Sequence, residues 1–176
     1  MIIKDKQEAL RHILDQKAVA IFQGESEYGP RALGNRSILF DPRNPDVKDI
    51  MNGIKKREWY RPFAGTILLE HAHDYFEMLT IKESPYMSYA IPAKPLAAQT
   101  VPGIIHVDGT CRIQTVTQKQ NKHFYDLIKL FYDETGVPIL FNTSFNLAGE
   151  TLVQTLEDAK YTIMRSSIDY IYCPEL

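Results

Sequence analysis

Three stretches of the chain collect side chains suited to holding anions. The first is Tyr28-Gly29-Pro30-Arg31-Ala32-Leu33-Gly34-Asn35-Arg36-Ser37, where two glycines and a proline impose an irregular backbone. Arg31 and Arg36 there offer planar guanidinium forks that match phosphate or carboxylate oxygens. The same arginines could instead cap helices or pair with Glu25 and Glu27 on a surface loop. The second stretch runs from Lys55 to Phe63 and puts four positive charges, Lys55, Lys56, Arg57 and Arg61, within seven residues. A solvated helix end is the other meaning of such a run, since cations favour the C-terminal pole of the helix dipole. The third stretch, Asn142 to Glu150, carries Asn142, Thr143, Ser144 and Asn146, four hydrogen-bonding side chains within five residues. A capped turn needs one or two of them; a loop that presents hydroxyls and amides to a ligand uses all four.

The flanking elements predict how these stretches are held. Apolar spacing predicts a helix over Lys6 to Gln16 with Asp5 as N-cap. A buried strand over Val19 to Phe22 leads into the first stretch, and Ser37 to Phe40 reads as the strand that leaves it. Asn44-Pro45 suggests a helix start, with the helix running to about Lys55. Phe63 to Leu69 reads as a strand, followed by a helix near His73 to Leu79 and a strand over Tyr86 to Ile91. Pro92 to Pro102 reads as a loop or lid. Asp108-Gly109 between Ile104–Val107 and Arg112–Val116 is a hairpin signal. Lys122 to Thr135 is the clearest helix, with Gly136 as its stop. Pro138 to Phe141 is a buried strand, Thr155 and Asp158 cap a last helix, and Tyr170 to Cys173 is a terminal strand. Alternating strands and helices imply one layered α/β (α+β) domain over residues 1–176, with helices packed on a mixed sheet.

Composition narrows the function classes. The chain has 176 residues and a net charge of −2, so bulk electrostatics do not point to nucleic-acid binding. Cys111 and Cys173 lie far apart and form no C-x-x-C, which argues against a zinc ribbon or disulfide framework. His71 and His73 lack metal-ligand spacing, and no metal site is expected. His12 and His123 read as ordinary helix residues. His106, two residues before Asp108 in a predicted strand, reads as a satisfied structural histidine more than as a catalyst, but it lies beside a suspected site. Neither a Walker A nor a G-x-G-x-x-G motif occurs, which disfavours P-loop and Rossmann enzymes. The start of the chain has no secretory h-region, and no apolar run has membrane length, so a cytoplasmic protein is expected.

The strings GPRALGNRSILFDPRNPDVKDIMN, KKREWYRPFAGTIL, SPYM, HVDGTCRIQTV and TGVPILFNTSFNLAGETLV, in this order, resemble the C-terminal domain of the carbamoyltransferase family, which includes nodulation-factor and antibiotic O-carbamoyltransferases. That domain in turn is similar to the YrdC-like fold through K-x-R, here Lys55 and Arg57, and S-x-N with Gly-Glu, here Ser144, Asn146, Gly149 and Glu150. The resemblance implies that carbamoyl phosphate loses phosphate and that the carbamate attacks the α-phosphorus of ATP. Pyrophosphate leaves and carbamoyl-adenylate passes to a separate transfer site. Lys55, Arg57, Ser144 and Asn146 are the implied catalytic residues. Arg31, Arg36, Arg61, His106, Arg112, Asn142 and Thr143 are the implied binding residues. ATP is a substrate, Mg2+ can accompany it, and no dedicated carboxylate cage for the ion is visible. The expected partner is a separate N-terminal-type transfer domain or subunit, without which this chain is not expected to carbamoylate an acceptor. A non-catalytic nucleotide-binding or partner-binding module and a threonylcarbamoyl-adenylate synthase are the competing readings; GPRALGNRS favours the carbamoyl branch over the latter.

Three structural expectations follow. Arg31, Arg36, Lys55, Arg57, Ser144 and Asn146 should converge on one concave pocket. Loss of Lys55 or Arg57 should abolish activity with little change in stability. Trp59, Tyr60, Tyr86 and Phe145 should flank the pocket mouth as a partner surface, the alternative being core packing.

Overall fold

A mixed eight-stranded sheet is the frame on which the three polar stretches are mounted. The computed structural model describes residues 1–176. The strands are β1 (Ile2–Ile3), β2 (Val19–Phe22), β3 (Arg36–Phe40), β4 (Ala64–Leu68), β5 (Ala90–Pro92), β6 (Thr110–Val116), β7 (Ile139–Ser144) and β8 (Tyr170–Tyr172). Their order across the sheet is β1-β8-β2-β3-β7-β4-β6-β5. β8 runs parallel to both β1 and β2, and β4 runs parallel to β6. The pairs β2/β3, β3/β7, β4/β7 and β5/β6 are antiparallel.

The helices are α1 (Lys6–Leu14), α2 (Val47–Lys55), α3 (Ala72–Tyr75), α4 (Pro95–Thr100), α5 (Lys122–Thr135) and α6 (Leu156–Met164). α1 is capped by Asp5, whose side chain accepts from the Gln7 N–H. α5 starts at Asn121, which accepts from the Phe124 N–H, and stops at Gly136 in the left-handed region, where a side chain would be strained. Thr155 and Asp158 form a reciprocal capping box on α6. Phe124, Leu127, Ile128 and Phe131 form the stripe by which α5 enters a single hydrophobic core together with β2, β3, β4 and β7. No helix is long and apolar enough to cross a membrane.

Several local expectations are corrected. Asn44 does not cap α2: its side chain accepts from the Asp46 N–H in a turn, and the helix starts at Val47 with no side-chain cap. The helix near His73 is one short turn, and Leu79 sits exposed with φ 48°. Met87 takes φ 53°, which keeps Tyr86 to Tyr89 out of the sheet and leaves only Ala90–Pro92 as strand. Pro95 at the first helical position starts α4 inside what reads as a loop. Asp108-Gly109 makes a tight turn, with the His106 N–H donating to the Thr110 carbonyl oxygen. The segment before it is a 3-10 turn over Pro102–Ile104 rather than a strand, so no hairpin ladder forms.

β7 is antiparallel to β3 and β4, so its C-terminal end meets the start of each. Ser37 pairs with Ser144, and Ala64 pairs with Asn142 on one side and Arg112 on the other. Sequence-distant segments are thereby gathered at one end of the sheet.

Candidate active site

α2 ends in a left-handed residue, Lys56 at φ 53°, with the Arg57 N–H donating to the Asn52 carbonyl oxygen and the Lys56 N–H to that of Gly53. This is the helix stop that glycine often supplies, built here on a lysine. It turns the chain back toward β4 and places Lys55 and Arg57 beside the end of β7.

Lys55 is 3% exposed. Its ammonium donates to the Ser144 carbonyl oxygen at 2.6 Å and the Asn146 carbonyl oxygen at 3.0 Å. It also reaches Ser144 Oγ at 3.2 Å and Asn146 Oδ1 at 3.0 Å. Ser144 Oγ in turn donates to Asn146 Oδ1 at 2.7 Å. Burial, reinforced by nearby Arg57 and opposed by Glu150, pulls the Lys55 pKa down to about 7. Lys55 is thus a buried clamp between α2 and the turn after β7, not a free surface cation.

Arg57 is half-buried. Its Nε donates to Asn52 Oδ1 at 2.7 Å and its guanidinium lies 4.1 Å from the centre of the Phe63 ring. Burial, with Arg61 adding to it and Glu58 opposing, lowers its pKa to about 10. Two concavities meet at Arg57 and Ser144. The larger, about 670 Å³, is lined by Lys55, Arg57, Arg61, Ser144, Asn146 and the turn Leu147 to Gly149, together with Glu58 and Glu150. Both carboxylates there are engaged, Glu58 with Arg61 at 2.8 Å and Glu150 with Arg165 at 2.6 Å. The smaller chamber, about 110 Å³, is lined by Arg31, Arg57, Arg112, Asn142, Thr143 and Ser144, and no acidic residue lines it. Burial and the neighbouring charge of Arg112 lower the Arg31 pKa. Three guanidiniums facing one small cavity without a carboxylate form a site whose electrostatics favour an anion.

Of the six residues expected to converge, Lys55, Arg57, Ser144 and Asn146 line the larger concavity, and Arg31 joins Arg57 and Ser144 in the chamber. Arg36 does not join them. It is 3% exposed, stacks 3.7 Å over the Phe22 ring and donates to the carbonyl oxygens of Gln23, Gly24, Asn35 and Gln154. With both terminal nitrogens turned onto the backbone and Nε buried without a partner, Arg36 holds the first polar stretch together and lines neither concavity. His106 also lies apart. Its Nε2 donates to the Phe63 carbonyl oxygen at 2.9 Å, so it supports the strand entry that carries Arg57's aromatic platform. Arg61 lines the larger concavity at its exposed rim. Of the four aromatics, Trp59, Tyr60 and Tyr86 are exposed, while Phe145 is fully buried and belongs to the core.

Four residues outside the expected set also build the site. Glu27 Oε1 accepts from the backbone N–H groups of Leu33 and Asn35, each at 2.7 Å, and so shapes the turn that presents Arg31. Asn52 fixes Arg57. Thr66 and Gln114 form a buried network with Asn142 beneath the chamber. A Thr and a Gln inside otherwise apolar strands are the signal that could have found the last two, because an interior polar side chain needs a partner.

Comparison with known proteins places this geometry. The sequence pattern of the family described as Carbamoyltransferase C-terminus matches residues 10–176. The nodulation protein NolNO of Sinorhizobium fredii is 44% identical over 163 residues, which cover 92% of this chain and 24% of that protein. The chain therefore spans about a quarter of the length of such a relative. Among solved structures, full-length HypF in a phosphate- and nucleotide-bound form superposes with a TM-score of 0.66 at 18% identity, over 96% of this chain and 20% of that one. The H234A/Y235A form of Sua5 from P. abyssi superposes with a TM-score of 0.66 at 13% identity, over 99% and 53%. At these identities the two structures establish the shared fold.

Proposed function

The chain belongs to the carbamoyltransferase C-terminus family, and from that premise we propose that it activates a carbamoyl group, converting carbamoyl phosphate and ATP to carbamoyl-adenylate for transfer elsewhere. The observation that carries the reading is the junction of two anion-seeking cavities at Arg57 and Ser144, one the size of a nucleotide site and one far smaller.

In this reading the arginine chamber takes carbamoyl phosphate. Attack of water on its mixed anhydride breaks the acyl phosphate bond and gives carbamate and inorganic phosphate. A carbamate oxygen then attacks the α-phosphorus of ATP held in the larger concavity, and pyrophosphate leaves. Neither step calls for an enzyme nucleophile. The first builds charge on phosphoryl oxygens and the second brings two anions together, which Arg31, Arg57, Arg112 and Lys55 offset while Ser144 and Thr143 orient oxygens. Removing one such group typically costs about 2.7–4 kcal/mol of transition-state stabilisation. Magnesium would arrive on the nucleotide, since no cluster of three or more His, Cys, Asp or Glu side chains stands ready to hold an ion.

Transfer to an acceptor is assigned to a separate domain or subunit, in keeping with the share of its relatives that the chain spans. Exposed Trp59 and Tyr60, on the segment between Arg57 and Arg61, suit a contact with it. Pyrophosphate release from ATP by the purified chain tests the activation step. Release that needs carbamoyl phosphate and is not supported by bicarbonate is expected. Release with bicarbonate instead would favour a threonylcarbamoyl-type synthase, and no release would favour a binding module.

A further inference from the structure

Glu150 is at odds with the larger concavity that it lines. A cavity that takes phosphates gains from cations, yet this carboxylate borders it with its side chain 22% exposed. The turn after β7 sets its place. Gly149 takes φ 78°, the Glu150 N–H donates to the Leu147 carbonyl oxygen at 3.1 Å, and Glu150 Oε2 accepts from the Leu147 N–H at 3.0 Å. The Glu150 carbonyl oxygen accepts from Asn146 Nδ2 at 2.8 Å, which fixes that amide with Oδ1 toward Ser144 Oγ and the Lys55 ammonium. Glu150 thus holds the turn in shape and at the same time brings a negative charge to the cavity wall.

The turn leaves the other carboxylate oxygen, Oε1, to Arg165, whose Nη1 donates to it at 2.6 Å. Arg165 comes from a different element. It caps the C-terminal end of α6, and its guanidinium lies 5.0 Å from the centre of the Tyr161 ring. Arg165 does not line the concavity. The pair differs in this from Glu58 and Arg61, where the arginine lines the concavity and can meet a ligand directly. Arg165 reaches a ligand only through Glu150. We propose that Arg165 is a positioning residue of the nucleotide site: it holds the Glu150 carboxylate and offsets its charge, so that the phosphates of a nucleotide can lie beside it. This inference rests on the reading of the larger concavity as the nucleotide site. Without Arg165 the carboxylate repels those phosphates, and a partly enclosed wall screens the repulsion less than bulk water does.

Titration calorimetry of the full chain with ATP tests this through a double-mutant cycle. Arg165→Met keeps an apolar stem over Tyr161 and removes the charge. It should weaken ATP binding about fivefold, the upper end for a partly exposed ion pair. In the Glu150→Gln background the same substitution should change affinity less than about twofold, because the charge that Arg165 offsets is gone. Glutamine keeps an acceptor for the Leu147 N–H, so the turn is preserved. Arg165→Lys should bind ATP as the wild type does, since one N–H serves the pair and an ammonium supplies it. An equal loss in both backgrounds would mean that Arg165 acts by packing and would overturn the proposal, as would unchanged affinity in Arg165→Met. Should Glu150→Gln fail to fold, the comparison of lysine with methionine at position 165 decides: a loss as large with lysine overturns the proposal. Binding of neither ATP nor pyrophosphate by the wild type would instead remove the nucleotide site itself and the function proposed for it.

Discussion

Lys55 Nζ donates to the Ser144 carbonyl oxygen at 2.6 Å, a bond between residues 89 positions apart in the chain. It fastens the C-terminal end of α2 to the C-terminal end of β7. The two signatures, K-x-R and S-x-N, are therefore one construction and not two loops that happen to meet.

Lys55→Met should cost stability as well as activity. It removes the ammonium shared by the carbonyl oxygens of Ser144 and Asn146 and the Asn146 amide oxygen, and the Asn146 carbonyl loses its donor, at about 1–3 kcal/mol for an unpaired buried acceptor. Urea unfolding should show a loss of about 2–4 kcal/mol, within the range of broken buried networks. A change under about 0.5 kcal/mol, as expected of a surface cation, would return Lys55 to the role its sequence context suggests.

Arg31→Ala should behave in the opposite way. Arg31 is exposed, makes one side-chain bond, to the neighbouring Pro30 carbonyl oxygen at 3.2 Å, and stands near the like charge of Arg112. Stability should stay within about 0.5 kcal/mol, while phosphate affinity falls roughly tenfold to a hundredfold, as loss of a charge-assisted bond implies. An unchanged affinity, read by calorimetry, would take Arg31 out of the chamber's function.

Arg36→Lys should unfold more readily than the wild type by about 2 kcal/mol or more, because an ammonium cannot reproduce the planar fork that serves four carbonyls. The folded fraction should bind phosphate as the wild type does. A variant of normal stability and lost phosphate affinity would restore Arg36 to the ligand site.

Affinity for a phosphate ligand should depend on pH through Lys55. Its pKa is pulled down to about 7 in the free protein, and a bound anion raises it by favouring the ammonium. Binding then takes up protons near neutral pH, and affinity weakens as pH rises above about 7 toward the bound-state value. Calorimetry in buffers of different ionisation enthalpy measures that uptake. Proton release on binding, or none between pH 7 and 8, would contradict the assignment.

The legible parts of the fold were those set by local signals. α5 with its Gly136 stop and α6 with its Thr155–Asp158 box follow from capping chemistry and helical spacing alone. Met87 and Lys56 in the left-handed region were not legible, because nothing about either residue type announces that conformation. The same limit applied to the site. Arg31 and Arg36 look alike in sequence, but strand β3 starts at Arg36 and turns its side chain over Phe22 among backbone carbonyls, while Arg31 stays in the preceding turn. Which arginine meets a ligand is a matter of register, and long-range pairing sets register.

The exchange of labelled pyrophosphate into ATP, catalysed by the purified chain, tests the central claim most directly. Attack of carbamate on the α-phosphorus is reversible while carbamoyl-adenylate stays bound, so pyrophosphate can re-form ATP. Label should enter ATP when carbamoyl phosphate is present, not when bicarbonate replaces it, and Arg57→Ala should abolish the exchange. Exchange that does not depend on carbamoyl phosphate, or its absence in a folded chain that binds both substrates, would contradict carbamoyl activation at this site.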